Sequence, residues 1–349
     1  MTWKAERIEN LAGYTVEWAE PGNYLISRRN VLYRTSDLKS PLTRVGEVDA
    51  VFYKKAASRS RLLQRLFRFM FTNVVPLENG RIFVTFDKAT GIFENGSYAA
   101  IKGLARPARV LRSACAVDQN GDIYFGEYLA NTERGEMRVY RLPSGSAQLE
   151  EAYVFPRASV RHIHGIYFDG HSGELVCLTG DDEDECKMIR TGDGFRTVEV
   201  VGEGDESWRA VSVLFDEDAF YYGTDAEFRA NEIYRMDRKT RSRMGLGEVN
   251  GTVFYSKKVG ESLFFATTAE DAPSQTENVA AIWHVGADGV LERVVSFAKD
   301  RWHPALFMFG LIHFPYRNAF DDRLFFSVLG VEGDSETYRL VRGRDVDLD

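Results

Sequence analysis

The stretch Gly170-His171-Ser172-Gly173-Glu174-Leu175-Val176-Cys177-Leu178-Thr179-Gly180-Asp181 contains the unit from which most of the chain is built. A Gly- and Ser-containing turn leads into a run of β-branched and other apolar residues, and the run ends on an acid. The same order returns at residues 81–87, 122–127, 219–225, 262–268 and 323–328, with Asp87, Glu127 and Asp225 holding the place of Asp181. A further apolar strand follows in several copies, as in Met137-Arg138-Val139-Tyr140-Arg141 and Glu232-Ile233-Tyr234-Arg235-Met236. The period is roughly 40 to 50 residues, which marks a repeat architecture.

Six copies run from residue 72 onward, and residues 12–50 supply a seventh, with strands expected at 14–18, 23–27, 31–34 and 42–48. Seven units of about four short strands predict an all-β, seven-bladed β-propeller forming one domain over residues 1–349, with a six-bladed count or two packed sandwiches as the alternative. The last copy runs out before its fourth strand, so residues 2–8 are expected to supply it and close the ring.

Composition agrees with this reading. The chain has 349 residues, 44% hydrophobic, 13% aromatic and 28% charged, enough apolar material for a large core. That balance excludes a disordered or collagen-like chain. No run of about 18 uninterrupted apolar residues is present, so a spanning helix is excluded. A net charge of −8 argues against nucleic-acid binding through overall charge. Cys115, Cys177 and Cys186 form no C-x-x-C pair, and the first residues show no basic segment leading into an apolar one. Free thiols and a cytoplasmic location are therefore expected. No Gly-rich phosphate-binding loop occurs.

One segment breaks the repeat. Residues 54–71 lack Gly and Pro and show helical spacing, with Leu62, Leu63, Leu66, Phe67 and Met70 on one stripe and Arg61, Arg65 and Arg68 on another. A basic amphipathic helix is expected, packed by its apolar stripe on the body and turning its arginines to an acidic ligand. An alternative lays it on an anionic membrane surface.

The segment Thr191-Gly192-Asp193-Gly194-Phe195-Arg196-Thr197-Val198 resembles the Asp-box of sialidase-like (BNR-repeat) propellers, with Phe195 where Gly is common and Val198 where Trp is usual. The resemblance implies a structural turn between outer strands, away from the catalytic face. The Arg-Ile-Pro motif of sialidases is absent, which disfavours that activity. At the level of class, the residue types are similar to those of propeller-fold polysaccharide lyases, which use His, Tyr and Arg at the axial face.

In propellers, the loops from fourth to next first strand and from second to third strand emerge on one face. Arg112, His162, His164, Trp208 and Arg209 stand at starts of first strands, Trp302 and His303 on the approach to the last unit, and Asp87, Glu127, Tyr128, Asp181 and Asp225 at ends of second strands. These residues are expected to gather around the axial mouth. Such a ring suits a polar ligand with many hydroxyls and a carboxylate. The expected partner is an acidic glycan or oligosaccharide.

His162, His164, Arg209, Tyr128 and Tyr222 are the catalytic candidates. Arg112, Glu127, Asp181, Trp208, Asp225, Trp302 and His303 are the substrate-binding candidates. In a lyase, Arg209 or Arg112 would neutralise the uronate, His162 or His164 would take the α-proton, and Tyr128 or Tyr222 would protonate the leaving oxygen. In a glycoside hydrolase, two of Glu127, Asp181 and Asp225 would work as a pair. A non-catalytic propeller binding a glycan or a protein is the third reading. His162-Ile163-His164 puts both imidazoles on one side of a strand. They could bind a divalent metal with Asp181 or Asp225, act as base and charge neutraliser, or satisfy backbone carbonyls. The acidic run 181–185 reads as a solvated loop, with a hard-cation site as the alternative.

Overall fold

Period-two alternation folds the chain into antiparallel sheets, each with an apolar face to bury on both sides. The computed structural model, which describes residues 2–343, arranges them as a seven-bladed propeller. The innermost strands of blades 1 to 7 are Thr15–Glu20, Phe71–Pro76, Cys115–Val117, His162–Asp169, Ala210–Phe215, Val253–Val259 and Leu311–His313. The N-terminal strand Trp3–Arg7 pairs antiparallel with Thr337–Arg342 as the outer strand of blade 7, Ala5 opposite Leu340. A second link closes the ring near the axis, where Arg317–Asn318 runs parallel to Trp18–Ala19 of blade 1. Among the described residues, no helix is long and apolar enough to cross a membrane.

The core lies between blades. Phe71, Phe83, Phe86, Phe93 and Phe125 are buried in one such layer. Phe69 and Phe71 both meet Phe86 edge-on, at 4.8 and 5.1 Å between ring centroids. Burial of each such ring contributes about 2–3 kcal/mol.

Register shifts near the start of an innermost strand recur in five blades, leaving Glu17, Thr72, His164, Val211 with Ser212, and Phe254 outside the regular pairing. A bulge bends the strand and re-aims a side chain. Thr72, Val211 and Phe254 consequently line the axial mouth. Glu17 meets Arg112 from the loop before blade 3, 2.8 Å away, with both side chains almost wholly buried. Arg112 also donates to the Phe71 carbonyl, and Ser27 donates to Glu17.

Two readings of the sequence need correction here. In place of one helix over 54–71 there are two short ones, α1 (Phe52–Ala57) and α2 (Arg61–Leu66), and Phe71 already belongs to blade 2. The faces of α2 are also reversed. Arg65 and Gln64 are buried, whereas Leu63 and Leu66 are exposed. The reason is what α2 packs against. Arg65 meets the Asp300 carboxylate at 2.5 Å and donates to the carbonyls of Phe307 and Met308 around a third short helix, α3 (Pro304–Phe307). A paired, hydrogen-bonded guanidinium is tolerated in the interior, and the leucines are left outside.

The Asp-box-like segment forms a closed turn between the third and fourth strands of blade 4. Asp193 accepts hydrogen bonds from the amide and hydroxyl of Thr197 and from the Thr191 hydroxyl. Phe195 holds a left-handed φ of 72°, a backbone state that disfavours a side chain. Its ring is buried between Tyr124 and Tyr153, which offsets that strain.

Candidate functional site

The innermost strand of blade 4 delivers His162 and His164 to the face where the first strands begin. Asp181 ends the second strand of the same blade, and Arg209 and Asp225 come from equivalent places in blade 5. Gly180 makes the convergence sterically feasible. A β-carbon there would lie 2.7 Å from the His164 ring and 3.1 Å from the Arg209 stem.

Asp181 is the hub. Its Oδ2 is 3.1 Å from His162 Nε2 and 3.3 Å from Arg161. Its Oδ1 is 3.4 Å from His164 Nε2 and 3.3 Å from Arg209. Arg209 reaches on to Asp225 Oδ2 at 3.1 Å, with Glu206 and Glu227 near 4 Å. The Tyr128 ring stacks on His162, with centroids 4.5 Å apart.

The two histidines differ in their bonds. His164 Nδ1 lies 2.9 Å from the Ala210 carbonyl, so both its nitrogens face oxygen atoms. His162 gives Nε2–H to Asp181, and its Nδ1 is buried without a hydrogen-bond partner.

The two aspartates differ as sharply. Burial alone would raise Asp181, but hydrogen bonds from both imidazoles and the charge of Arg209 hold it well below the usual carboxylate range. Asp225 is more deeply buried, and desolvation outweighs Arg209 and pushes it up to about 7. Burial, reinforced by the charge of Asp181, pushes the Tyr128 phenol up to about 12, so it keeps its proton at neutral pH.

A cationic rim adjoins this cluster. Arg109 pairs with Asp87 at 2.9 Å, and Lys54 reaches the same carboxylate at 2.9 Å. Arg68 follows α2 with a left-handed φ of 51°. It is solvent-exposed, and its side chain has no hydrogen bond or ion pair among the described residues. Arg68 and Arg109 line the axial mouth with Phe254, Tyr255 and Phe309. Exposed Phe228 sits two residues past Ala226 in the loop that carries Asp225, and its amide donates to Glu206.

The remaining sequence candidates stand outside the Asp181 cluster. Arg112 is the axial partner of Glu17. Glu127 is buried, accepting from Arg106, the Arg138 amide and the Tyr140 hydroxyl. Trp208 and Tyr222 stack on one another at 6.2 Å, with Arg243 over Trp208 at 3.8 Å and bonded to the Tyr222 hydroxyl. Gly202 lies against Trp208 so closely that a β-carbon would sit 2.0 Å from the indole. These two aromatics therefore lock blade layers together. Trp302 packs on Phe307, and His303 accepts the Ala305 amide at the start of α3. Within the run 181–185, Asp182 and Glu185 pair with Arg134, which braces the loop.

Arg161 and Arg109 were not among the sequence candidates, and Arg68 was expected only as part of the basic face of a single helix. Arg161 was within reach of the reading, because it directly precedes the His-x-His pair. Among the described residues, no three His, Cys, Asp or Glu side chains are set to hold a metal ion. His162 and His164 direct their Nε2 atoms at the Asp181 oxygens.

No protein-family model matches the chain, and no curated protein matches it in sequence. Solved structures similar to it include an oligogalacturonate lyase in complex with manganese, at 9% identity and a TM-score of 0.62, covering 99% of this chain and 97% of that one. YCF48 bound to a D1 peptide is similar at 13% identity and a TM-score of 0.56, over 98% of this chain and 96% of that one. A chain of the mitotic checkpoint complex is similar at 11% identity and 0.55, over 98% and 94%. At such identities the likeness extends to the fold alone.

Proposed function

We propose that the protein binds an acidic oligosaccharide at the axial mouth and cleaves it by β-elimination. The observation that carries this reading is the convergence of Tyr128, Arg161, His162, His164, Asp181, Arg209 and Asp225 on one rim. Arg161 and Arg209 would hold the uronate carboxylate and stabilise the charge that develops when the neighbouring proton leaves. His162, oriented by Asp181, offers its Nδ1 lone pair as the base. That atom is buried, so the step requires the rim, Tyr128 included, to part around the sugar. As the C–O bond breaks, the leaving oxygen takes the Tyr128 proton. Exposed Phe228 offers a surface for a sugar ring. The fold likeness to a lyase that acts on oligogalacturonate is compatible with this reading.

A second reading, glycoside hydrolysis, is favoured by the split between Asp181 and Asp225. Asp181 is held low and Asp225 is pushed up to about 7, the kind of divergence that hydrolysis uses for an acid and a base.

The test is to incubate the protein with oligogalacturonates and other oligo-uronates and follow the ultraviolet absorbance of unsaturated uronate. Elimination predicts a rise that Arg209→Gln reduces at least tenfold. New reducing ends without unsaturation would move the assignment to hydrolysis. Binding without any product would leave a non-catalytic propeller, and no binding at all would overturn the reading.

A further inference from the structure

The opposite end of the axial channel, where the innermost strands finish, holds a cavity of about 600 Å³. This is within the range of small-molecule sites. Arg112 lines both ends, and its pair with Glu17 stands between them. Tyr316 spans the channel from blade 7 to blade 3, its hydroxyl bonded to the Cys115 carbonyl at 2.9 Å.

Three features distinguish this cavity. Its walls are aromatic, with Trp18 and Tyr316 parallel at 6.0 Å and Arg317 over the indole. Trp18 Nε1, Ser212 Oγ and Ser256 Oγ are buried polar atoms without a hydrogen-bond partner, and all three residues line it. Trp18 and Ser212 are 8% and 5% exposed. Such groups are costly unless something completes their bonds. Finally, no Asp or Glu is among the described lining residues, although the protein carries a net charge of −8. Lys257 and Arg317 both face it. Lys257 spends one donor on the Tyr316 carbonyl at 2.8 Å, and the nearest acid to Arg317 is Glu20, at 3.8 Å. Burial, aided by Arg317, pushes the Lys257 ammonium down to about 8, as expected for a cation without a counter-ion.

We infer that this cavity is a second ligand site, separate from the rim cluster, for a small carboxylate carrying one flat ring face. The carboxylate meets Lys257 and Arg317, and the ring lies along Trp18 and Tyr316. The inference does not depend on the activity proposed for the rim.

Calorimetric titration of the full chain with D-galacturonate and with benzoate tests it, with D-galactose and benzyl alcohol as neutral counterparts. At least one carboxylate is expected to bind saturably, at least tenfold more tightly than its neutral counterpart. Lys257→Met should weaken it tenfold or more and Arg317→Gln several-fold, while Arg209→Gln leaves it unchanged. Arg317 is exposed, so its variant reports even where Lys257→Met fails to fold. The inference is overturned by absence of saturable binding, by equal binding of the neutral compound, or by binding lost in Arg209→Gln and kept in Arg317→Gln. That last result would assign the ligand to the rim.

Discussion

Arg112 and Arg209 occupy matching places, each just ahead of a blade, and each meets a carboxylate near the axis. Their surroundings separate them. Arg112 has one acidic partner, Glu17, and the pair is 5% and 2% exposed, with one further donor on the Phe71 carbonyl. Arg209 is 15% exposed and shared between Asp181 and Asp225, and Asp181 is itself shared among two histidines and Arg161. A one-to-one buried pair has no capacity left for a ligand and serves the fold. A partly open network in which each charge has several partners can trade one of them for substrate. That difference makes Arg112 a structural residue and leaves Arg209, on the function proposed above, able to exchange a partner for a ligand.

The largest effect should come from breaking the closed pair. Arg112→Ala removes the cationic partner of buried Glu17, leaving it only the Ser27 hydroxyl, and should cost about 3–5 kcal/mol in urea unfolding. Arg209→Gln should cost less than half of that while removing the proposed cleavage of oligo-uronates. Equal losses of stability would erase the distinction.

A smaller effect concerns pH. Asp225 stands at about 7 in the folded protein against an ordinary value of 3.8, so the folded chain keeps a proton that the unfolded chain has lost. Its contribution is therefore complete below 3.8 and is lost as pH rises through about 7. Asp181, held low, contributes above its ordinary value and loses that only as pH falls below it. Melting temperatures between these limits should decline with rising pH, and Asp225→Asn should flatten the decline. An unchanged slope would show that Asp225 titrates normally and belongs with the solvated acids.

The smallest effect on stability belongs to Arg68, whose side chain pairs with nothing among the described residues. Arg68→Ala should leave the melting temperature unchanged and weaken binding of an acidic oligosaccharide several-fold. A clear loss of stability would place it with Arg112.

Several elements were legible because their causes are local. The turn residues Asn120-Gly121 and Ser172-Gly173, and the period-two alternation after them, fix strand positions without knowledge of neighbours. The gathering of His162, His164, Asp181, Arg209 and Asp225 followed from repeat position alone. The limits were equally physical. Leu63 and Arg65 exchanged faces because Asp300 and the carbonyls around α3, far away in sequence, reward a buried guanidinium. Trp208 and Tyr222 fell at the right level of the blade, but they stack between layers, where Gly202 leaves room for the indole.

By itself the sequence determined the repeat, the strands within most copies and the chemical types brought to one face, since alternation and turn chemistry act over a few residues, while the count of seven was settled by the closed ring. Only the tertiary structure decided which charges are closed pairs and which stay open to a ligand, and that a cationic cavity faces the other way. Those outcomes depend on burial and on partners contributed by distant blades, which sequence spacing does not encode.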